Sequence, residues 1–157
     1  MAQMGTGAGI HSLSSQVIEH YFPNLSGDNN LITSPQTPEY NCIAWAAEDT
    51  EAWWWPDRND QYYWPPSVPR TESLDSFIRA YALQGYSVCA SADYEESFEK
   101  IAIYADPQGK PTHAARQLSN GHWTSKLGGM EDIEHYTLEG LHGAEYGVVA
   151  LVIKREK

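Results

Sequence analysis

The chain has 157 residues, 41% of them hydrophobic and 20% charged, which is the composition of one folded globular domain rather than a disordered segment. Its 21 acidic residues against 10 Lys and Arg give a formal charge of −11, which argues against nucleic acid and membrane surfaces as partners. No apolar run approaches the roughly 20 residues that span a bilayer, and no signal peptide is visible. Two cysteines are too few for a disulfide scaffold, so we expect a cytoplasmic location, although signal-independent export stays open.

The first half of the chain predicts three helices separated by loops. Residues 1–12 are small and polar and are expected to form a flexible leader, which leaves residues 13–157 as a single domain. A short helix is predicted just before Pro23, followed by a turn-rich extended loop. A second helix begins near Asn41 or Cys42, and a third follows a Thr cap and ends near Gly85.

Between the second and third helices lies a loop rich in aromatic residues and proline. It carries the sequence WWWPDRNDQYYWPPSVPR, in which the prolines prevent regular structure. Its rings either pack the loop onto the core or leave an exposed surface for a substrate or a protein partner. After the third helix, the acidic stretch from Asp93 to Glu99 is interpreted as a solvated loop.

The second half of the chain predicts strands. YSVCA predicts a short strand, and EKIAIYA, PTHAARQL and GHWTSKL predict an antiparallel meander with turns at DPQGK and SNG. GMEDIEHYTLEGLHG predicts one or two helical turns, and YGVVALVIK predicts a final buried strand. Helices first and strands last indicate the α+β class.

One cysteine and one histidine are the best candidates for chemistry. Cys42 falls in the first turn of the second predicted helix, where unpaired backbone N–H groups lower a thiol pKa. A thiol nucleophile also needs a base, and His113, flanked by two alanines in the meander, is the best placed. The hypothesis requires the Cys42 sulfur and the His113 ring to meet; a structural cysteine, or a bridge to Cys89, is the alternative.

Several segments resemble the papain-like superfamily, and within it the NlpC-type and CHAP-type cysteine amidohydrolases and peptidases. The similar segments are YNCIAWA, KIAIYADPQGKPTHAARQ, WTSKLG, IEH and a late YG, which together span about residues 36 to 153. The resemblance implies a papain-like, NlpC-like fold with N-terminal helices packed on a C-terminal antiparallel meander. It also implies a peptidase or amidase that forms a thioester on Cys42, with His113 as general base and peptide or amide-containing substrates.

The resemblance implies further site residues. Ser125 occupies the position of the third catalytic residue, and a three-residue SNG loop places it on the His113 face, whereas a two-residue loop places it on the other. Gln36 precedes Cys42 at the spacing of an oxyanion-hole amide, and Asn41 and Trp45 are predicted to bind the oxyanion or the substrate. Three other polar residues are alternatives to Ser125 as the third catalytic residue: Gln117, Asp132 and His135.

No cofactor and no metal site is predicted. Cys42, His113, His122 and His135 include zinc-ligand types, but the sequence has no close pair with ligand spacing such as CxxC. A different class of function stays open, namely a non-enzymatic acidic binding protein of the immunity or adaptor type that uses the aromatic loop as its interface.

Overall fold

The computed structural model of the protein describes residues 13–157, which form one seven-stranded antiparallel sheet with short helices on both faces. The predicted leader, residues 1–12, lies outside the described residues. The strands follow the order β1-β6-β5-β4-β3-β7-β2. The elements are α1 (Leu13–Tyr21), β1 (Asn30–Ser34), α2 (Cys42–Ala46), α3 (Leu74–Ala82), β2 (Ser87–Cys89), β3 (Phe98–Ala105), β4 (Pro111–Gln117), β5 (Trp123–Lys126), β6 (Asp132–His135), a 3-10 helix (Leu138–Leu141) and β7 (Val148–Glu156).

The two faces of the sheet carry separate hydrophobic cores. The face that includes Ala114 packs against α2, α3 and the aromatic loop, and we call it the helix face. The opposite face, which we call the histidine face, includes His113, Ser125 and His135 and packs against α1 and the 3-10 helix. Successive residues of a strand point to opposite sides, so neighbours along β4 contribute to different cores.

The expected papain-like and NlpC-like α+β arrangement is wrong. The sheet dominates the described residues, and their three α-helices have nine, five and nine residues and are distributed over both faces. Two strands account for the difference. β1 lies in the segment predicted as a loop, and β6 lies in the segment predicted as helical turns, where the 3-10 helix accounts for only part of the prediction. β1 pairs with β6, and β6 pairs with β5, which extends the meander into a wide sheet.

Other predicted elements are confirmed. The helix before Pro23, the helix that begins at Cys42 and the strands of the meander are all present. The third helix begins two residues later than expected, since Ser73 rather than Thr71 accepts the N-cap hydrogen bond from the Ser76 N–H. Local sequence signals therefore predict the elements better than the arrangement.

Candidate active site

Cys42 is the first residue of α2, and its neighbour fixes the start of the helix. The Asn41 side chain accepts a hydrogen bond from the Ala44 N–H, which makes Asn41 the N-cap. Burial raises the pKa of the Cys42 thiol to about 11, against a smaller opposing effect of the backbone N–H groups of Ala114, Ile43 and Cys42 itself. The expectation of a lowered thiol pKa is therefore wrong, because desolvation outweighs those groups. A protonated thiol needs a base before it can attack.

His113 is fully buried on the histidine face between two tyrosines. Its ring stacks on Tyr146 with 4.0 Å between centroids and meets Tyr104 edge-on. Its Nε2 lies 2.8 Å from Oγ of Ser125, whereas its Nδ1 is buried without a hydrogen-bond partner. Burial, with a smaller effect of His135, lowers the pKa of His113 well below its usual value. The imidazole is thus neutral at pH 7. Its Nε2 is hydrogen-bonded to Ser125, and its Nδ1 has no hydrogen-bond partner.

Ser125 shares the face of His113 because the turn before it is a three-residue loop. The Leu118 N–H donates to the His122 carbonyl and closes the loop 119–121. Ser125 Oγ lies 2.8 Å from Nε2 of His135, whose Nδ1 is 2.9 Å from the Thr137 carbonyl. A continuous chain of hydrogen bonds therefore runs from that carbonyl across β6, β5 and β4 to His113.

The side chains of Cys42 and His113 lie on opposite faces of the sheet at β4. His113 pairs in register with Tyr104 of the histidine face, while Ala114 belongs to the helix-face core together with Cys42. The two groups are neighbours through the backbone, since the N–H of Ala114, the residue next to His113, points at Cys42 Sγ. The thiol therefore sits at the strand segment that carries the imidazole, without sharing its face.

The three residues predicted to bind an oxyanion or substrate occupy different environments. Gln36 is exposed between β1 and α2. The Asn41 amide is fully engaged, because its Oδ1 also accepts from the Trp54 N–H and its Nδ2 donates to the Trp54 carbonyl. Trp45 is half-buried and donates from Nε1 to Thr124 Oγ1. Asn41 thus ties the aromatic loop to the helix, and this structural role accounts for its hydrogen bonds.

Lys126 is a buried cation on the helix face. Its Nζ donates to the carbonyls of Thr37, Gly128 and Met130 at 2.7–2.8 Å and lies over the Tyr40 ring. Burial lowers the pKa of the Lys126 ammonium. Three carbonyl acceptors match its three N–H donors, so this residue ties loops to the sheet.

The remaining candidates for a third residue lie apart from His113 or have other partners. Asp132 is buried on the helix face and accepts from the Tyr40 hydroxyl, although its Oδ1 is without a partner. Gln117 donates to the Ala92 carbonyl. His122, which the sequence analysis named only as a zinc-ligand type, pairs with Glu134 at 2.6 Å.

Sequence reasoning missed Tyr146, the stacking partner of His113. The residue is placed by a short loop closed by reciprocal hydrogen bonds between Gly143 and Gly147. Gly147 has φ +76°, and a Cβ there would lie 2.0 Å from the Ala105 carbonyl oxygen, so only glycine fits. In the sequence, this residue was indicated by the late YG pair, which is Tyr146 and Gly147.

Three further findings concern ligands, thiols and membranes. Among residues 13–157, no group of three or more His, Cys, Asp or Glu side chains is placed to hold a metal ion. Cys42 and Cys89 are both free thiols. Within the same residues, every helix is too short or too polar to cross a bilayer.

The comparisons with known proteins place the chain in a family. A family model described as a domain of unknown function (DUF7689) matches residues 31–154, which is most of the chain. The chain therefore belongs to this family, and the match includes α2, the complete meander and every member of the hydrogen-bonded histidine chain. No curated protein and no solved structure matches the chain.

Proposed function

We propose that the protein is a cysteine-dependent hydrolase, of peptidase or amidase type, that acts on an amide or related acyl bond. Cys42 is the nucleophile and His113 is the general base. Ser125 orients the imidazole through the hydrogen bond to its Nε2. The proposal rests on residue chemistry and does not require a papain-like fold.

The observation that carries the proposal is the free Nδ1 of His113. Buried polar atoms almost always have partners, so each of the six side-chain atoms buried without one in residues 13–157 needs an explanation, and a catalytic role is the one proposed for Nδ1 of His113. His113 immediately precedes Ala114, whose N–H points at the Cys42 thiol. A neutral thiol and a neutral imidazole with a free acceptor are the reactants of a general-base step.

The reaction proceeds in two half-reactions. Nδ1 of His113 takes the thiol proton while Sγ forms a bond to the substrate carbonyl carbon, and the carbonyl oxygen becomes an oxyanion. The oxyanion collapses, the C–N bond breaks, and His113 returns the proton to the leaving amine. Water then attacks the thioester, with its proton taken by His113 and delivered to the departing sulfur. The step requires a rearrangement that brings Nδ1 and Sγ together, because the two side chains lie on opposite faces of the sheet in the structure.

The proposal is tested by acyl transfer to the two thiols of the same chain. Incubation with p-nitrophenyl acetate is followed by peptide mapping of Cys42 and Cys89. Cys89 is the more exposed thiol and reports nonspecific acylation. We expect Cys42 to be acylated faster than Cys89 in the parent protein, because the proposal assigns His113 as the base of Cys42 and no base to Cys89.

Two variants serve as controls for this experiment. His113→Gln should slow acylation of Cys42 by about a hundredfold or more and leave Cys89 unchanged. Cys42→Ala should remove the fast phase, and urea unfolding checks that both variants are folded. Equal rates at both cysteines in the parent protein, or a Cys42 rate that is independent of His113, would show that the enzyme hypothesis is wrong.

A binding role is the second candidate, and the aromatic loop favours it. Tyr62 and Tyr63 remain 42% and 46% exposed, whereas Trp54 and Trp64 are buried in the core. An acidic binding protein would use the exposed rings as its interface with a protein partner. Retention of a partner by Cys42→Ala and its loss in Tyr62→Ser/Tyr63→Ser would favour this role.

We also propose a reducing compartment such as the cytoplasm as the place of action. The nucleophile must be a free thiol, and both cysteines are unbridged. Labelling of both thiols in freshly lysed cells, without added reductant, tests this location.

A further inference from the structure

We propose that His135 is a positioning residue that acts through Ser125 to set which nitrogen of His113 carries the proton. The inference deepens the proposed function and rests on it, since the proposed mechanism requires Nδ1 of His113 to be an acceptor. Its first test, however, is independent of any activity.

The direction of every hydrogen bond in the chain follows from one end. The Thr137 carbonyl can only accept, so Nδ1 of His135 carries a proton and donates. A neutral imidazole has one N–H, which leaves Nε2 of His135 as an acceptor. The Ser125 hydroxyl then donates to that nitrogen, and its oxygen accepts from the Nε2–H of His113. Nδ1 of His113 therefore holds a lone pair.

Both imidazoles are held in the neutral state that this argument requires. His135 and His113 are fully buried. Burial lowers the pKa of His135 to about 4, although the Thr137 carbonyl and Glu134 oppose the shift. Burial lowers the pKa of His113 as well, and His135 adds to the effect.

The opposite direction has a specific cost. If Nδ1 of His113 carried the proton, its N–H would be buried with no acceptor, because that atom has no protein partner. Ser125 would then have to donate to Nε2 of His113, and Nε2 of His135 would lose its only donor. His135 thus prevents the serine hydroxyl from rotating and keeps the acceptor of His113 on Nδ1.

The direct test is the tautomer of each imidazole. Two-bond ¹H–¹⁵N correlation spectra of the uniformly labelled full chain distinguish protonated from unprotonated ring nitrogens. We expect His113 to be protonated at Nε2 and His135 at Nδ1. The opposite tautomer at His113 would overturn the inference, whatever the activity of the protein.

A matched pair of variants tests the role of His135. His135→Phe keeps a planar ring but removes the acceptor, so the Nδ1-protonated form of His113 should become populated and acylation of Cys42 should fall about tenfold to a hundredfold. His135→Gln supplies a carbonyl oxygen as acceptor and should retain the tautomer and most of the rate. His122→Phe is the control, because His122 pairs with Glu134 and is not part of the hydrogen-bonded series. This variant should change neither the tautomer of His113 nor the acylation rate of Cys42.

The outcomes separate this inference from the proposed function. The expected tautomers without acylation of Cys42 would support the relay and refute the hydrolase. Fast acylation of Cys42 with an unchanged tautomer and rate in a folded His135→Phe variant would support the hydrolase and refute the role of His135. A His135→Phe variant that fails to fold is replaced by Ser125→Ala, which interrupts the same chain and is compared with Ser125→Thr, which keeps the hydroxyl.

Discussion

Buried polar groups on the two faces of the sheet differ in their hydrogen-bond partners. On the helix face, the Lys126 ammonium meets three carbonyls and the Asn41 amide meets three backbone groups. On the histidine face, a chain of two imidazoles and one hydroxyl ends at a nitrogen without a partner. The comparison separates polar groups that hold loops in place from a hydrogen-bonded series of side chains that ends in an unpartnered acceptor. Saturation is not complete elsewhere in residues 13–157, since five further side-chain atoms are buried without partners: Gln84 Oε1, Tyr86 Oη, Arg116 Nε, Gln117 Oε1 and Asp132 Oδ1.

The largest effect is expected at Lys126. Lys126→Met should lower the free energy of unfolding by about 4 kcal/mol, because three carbonyls lose their donor at a buried site. Urea unfolding measures the loss, and Lys110→Met at an exposed turn is the control, expected to change stability by less than about 0.5 kcal/mol. Similar small losses in both variants would remove the structural role assigned to Lys126.

The next effect concerns pH and the histidine face. The pKa of His135 falls from 6.5 in the unfolded chain to about 4 in the folded protein. Between these values the unfolded chain binds a proton that the folded chain does not, so stability is complete above pH 6.5 and decreases as the pH falls to 4. The loss from this group is about 3 kcal/mol.

The His135→Gln variant isolates that contribution. Carboxylates titrate in both proteins, so the difference between their unfolding free energies reports His135 together with its smaller effect on His113. We expect the parent protein to lose about 3 kcal/mol more than the variant between pH 6.5 and pH 4. Parallel stability curves would mean that His135 is not held neutral by the fold.

The smallest effect is expected at Asn41. Asn41→Ala should cost about 2 kcal/mol, because the N-cap of α2 and both hydrogen bonds to Trp54 are lost. Asn41→Ser keeps a capping oxygen and should recover about half of the loss. If the serine variant is no more stable than the alanine variant, the cap contributes little and the tie to Trp54 dominates.

Sequence reasoning succeeded where the determinants are local. The start of α2 follows from Asn41, whose capping preference acts over three residues. The side to which Ser125 points follows from the length of a single loop, and the sequence left two alternatives because both loop lengths fit SNG.

It failed where the determinants are distant along the chain. β1 is short and largely exposed, so its sequence NLITS shows no alternation of buried and exposed residues. β6 has four residues among polar neighbours and is defined by pairing with β1 and β5. The place of His135 depends on that pairing, and so does the width of the sheet that replaces the expected papain-like α+β arrangement.

The histidine chain crosses three adjacent strands, and this arrangement couples folding accuracy to chemistry. A slip of one residue in β5 would turn Ser125 toward α2 and bring Thr124 or Lys126 into its place. If Lys126 took that place, the misaligned sheet would bury two imidazoles with no hydroxyl between them. Selection for a working site would therefore also select against insertions or deletions in the tight loop 119–121, even though no residue of that loop takes part in the histidine–serine hydrogen bonds.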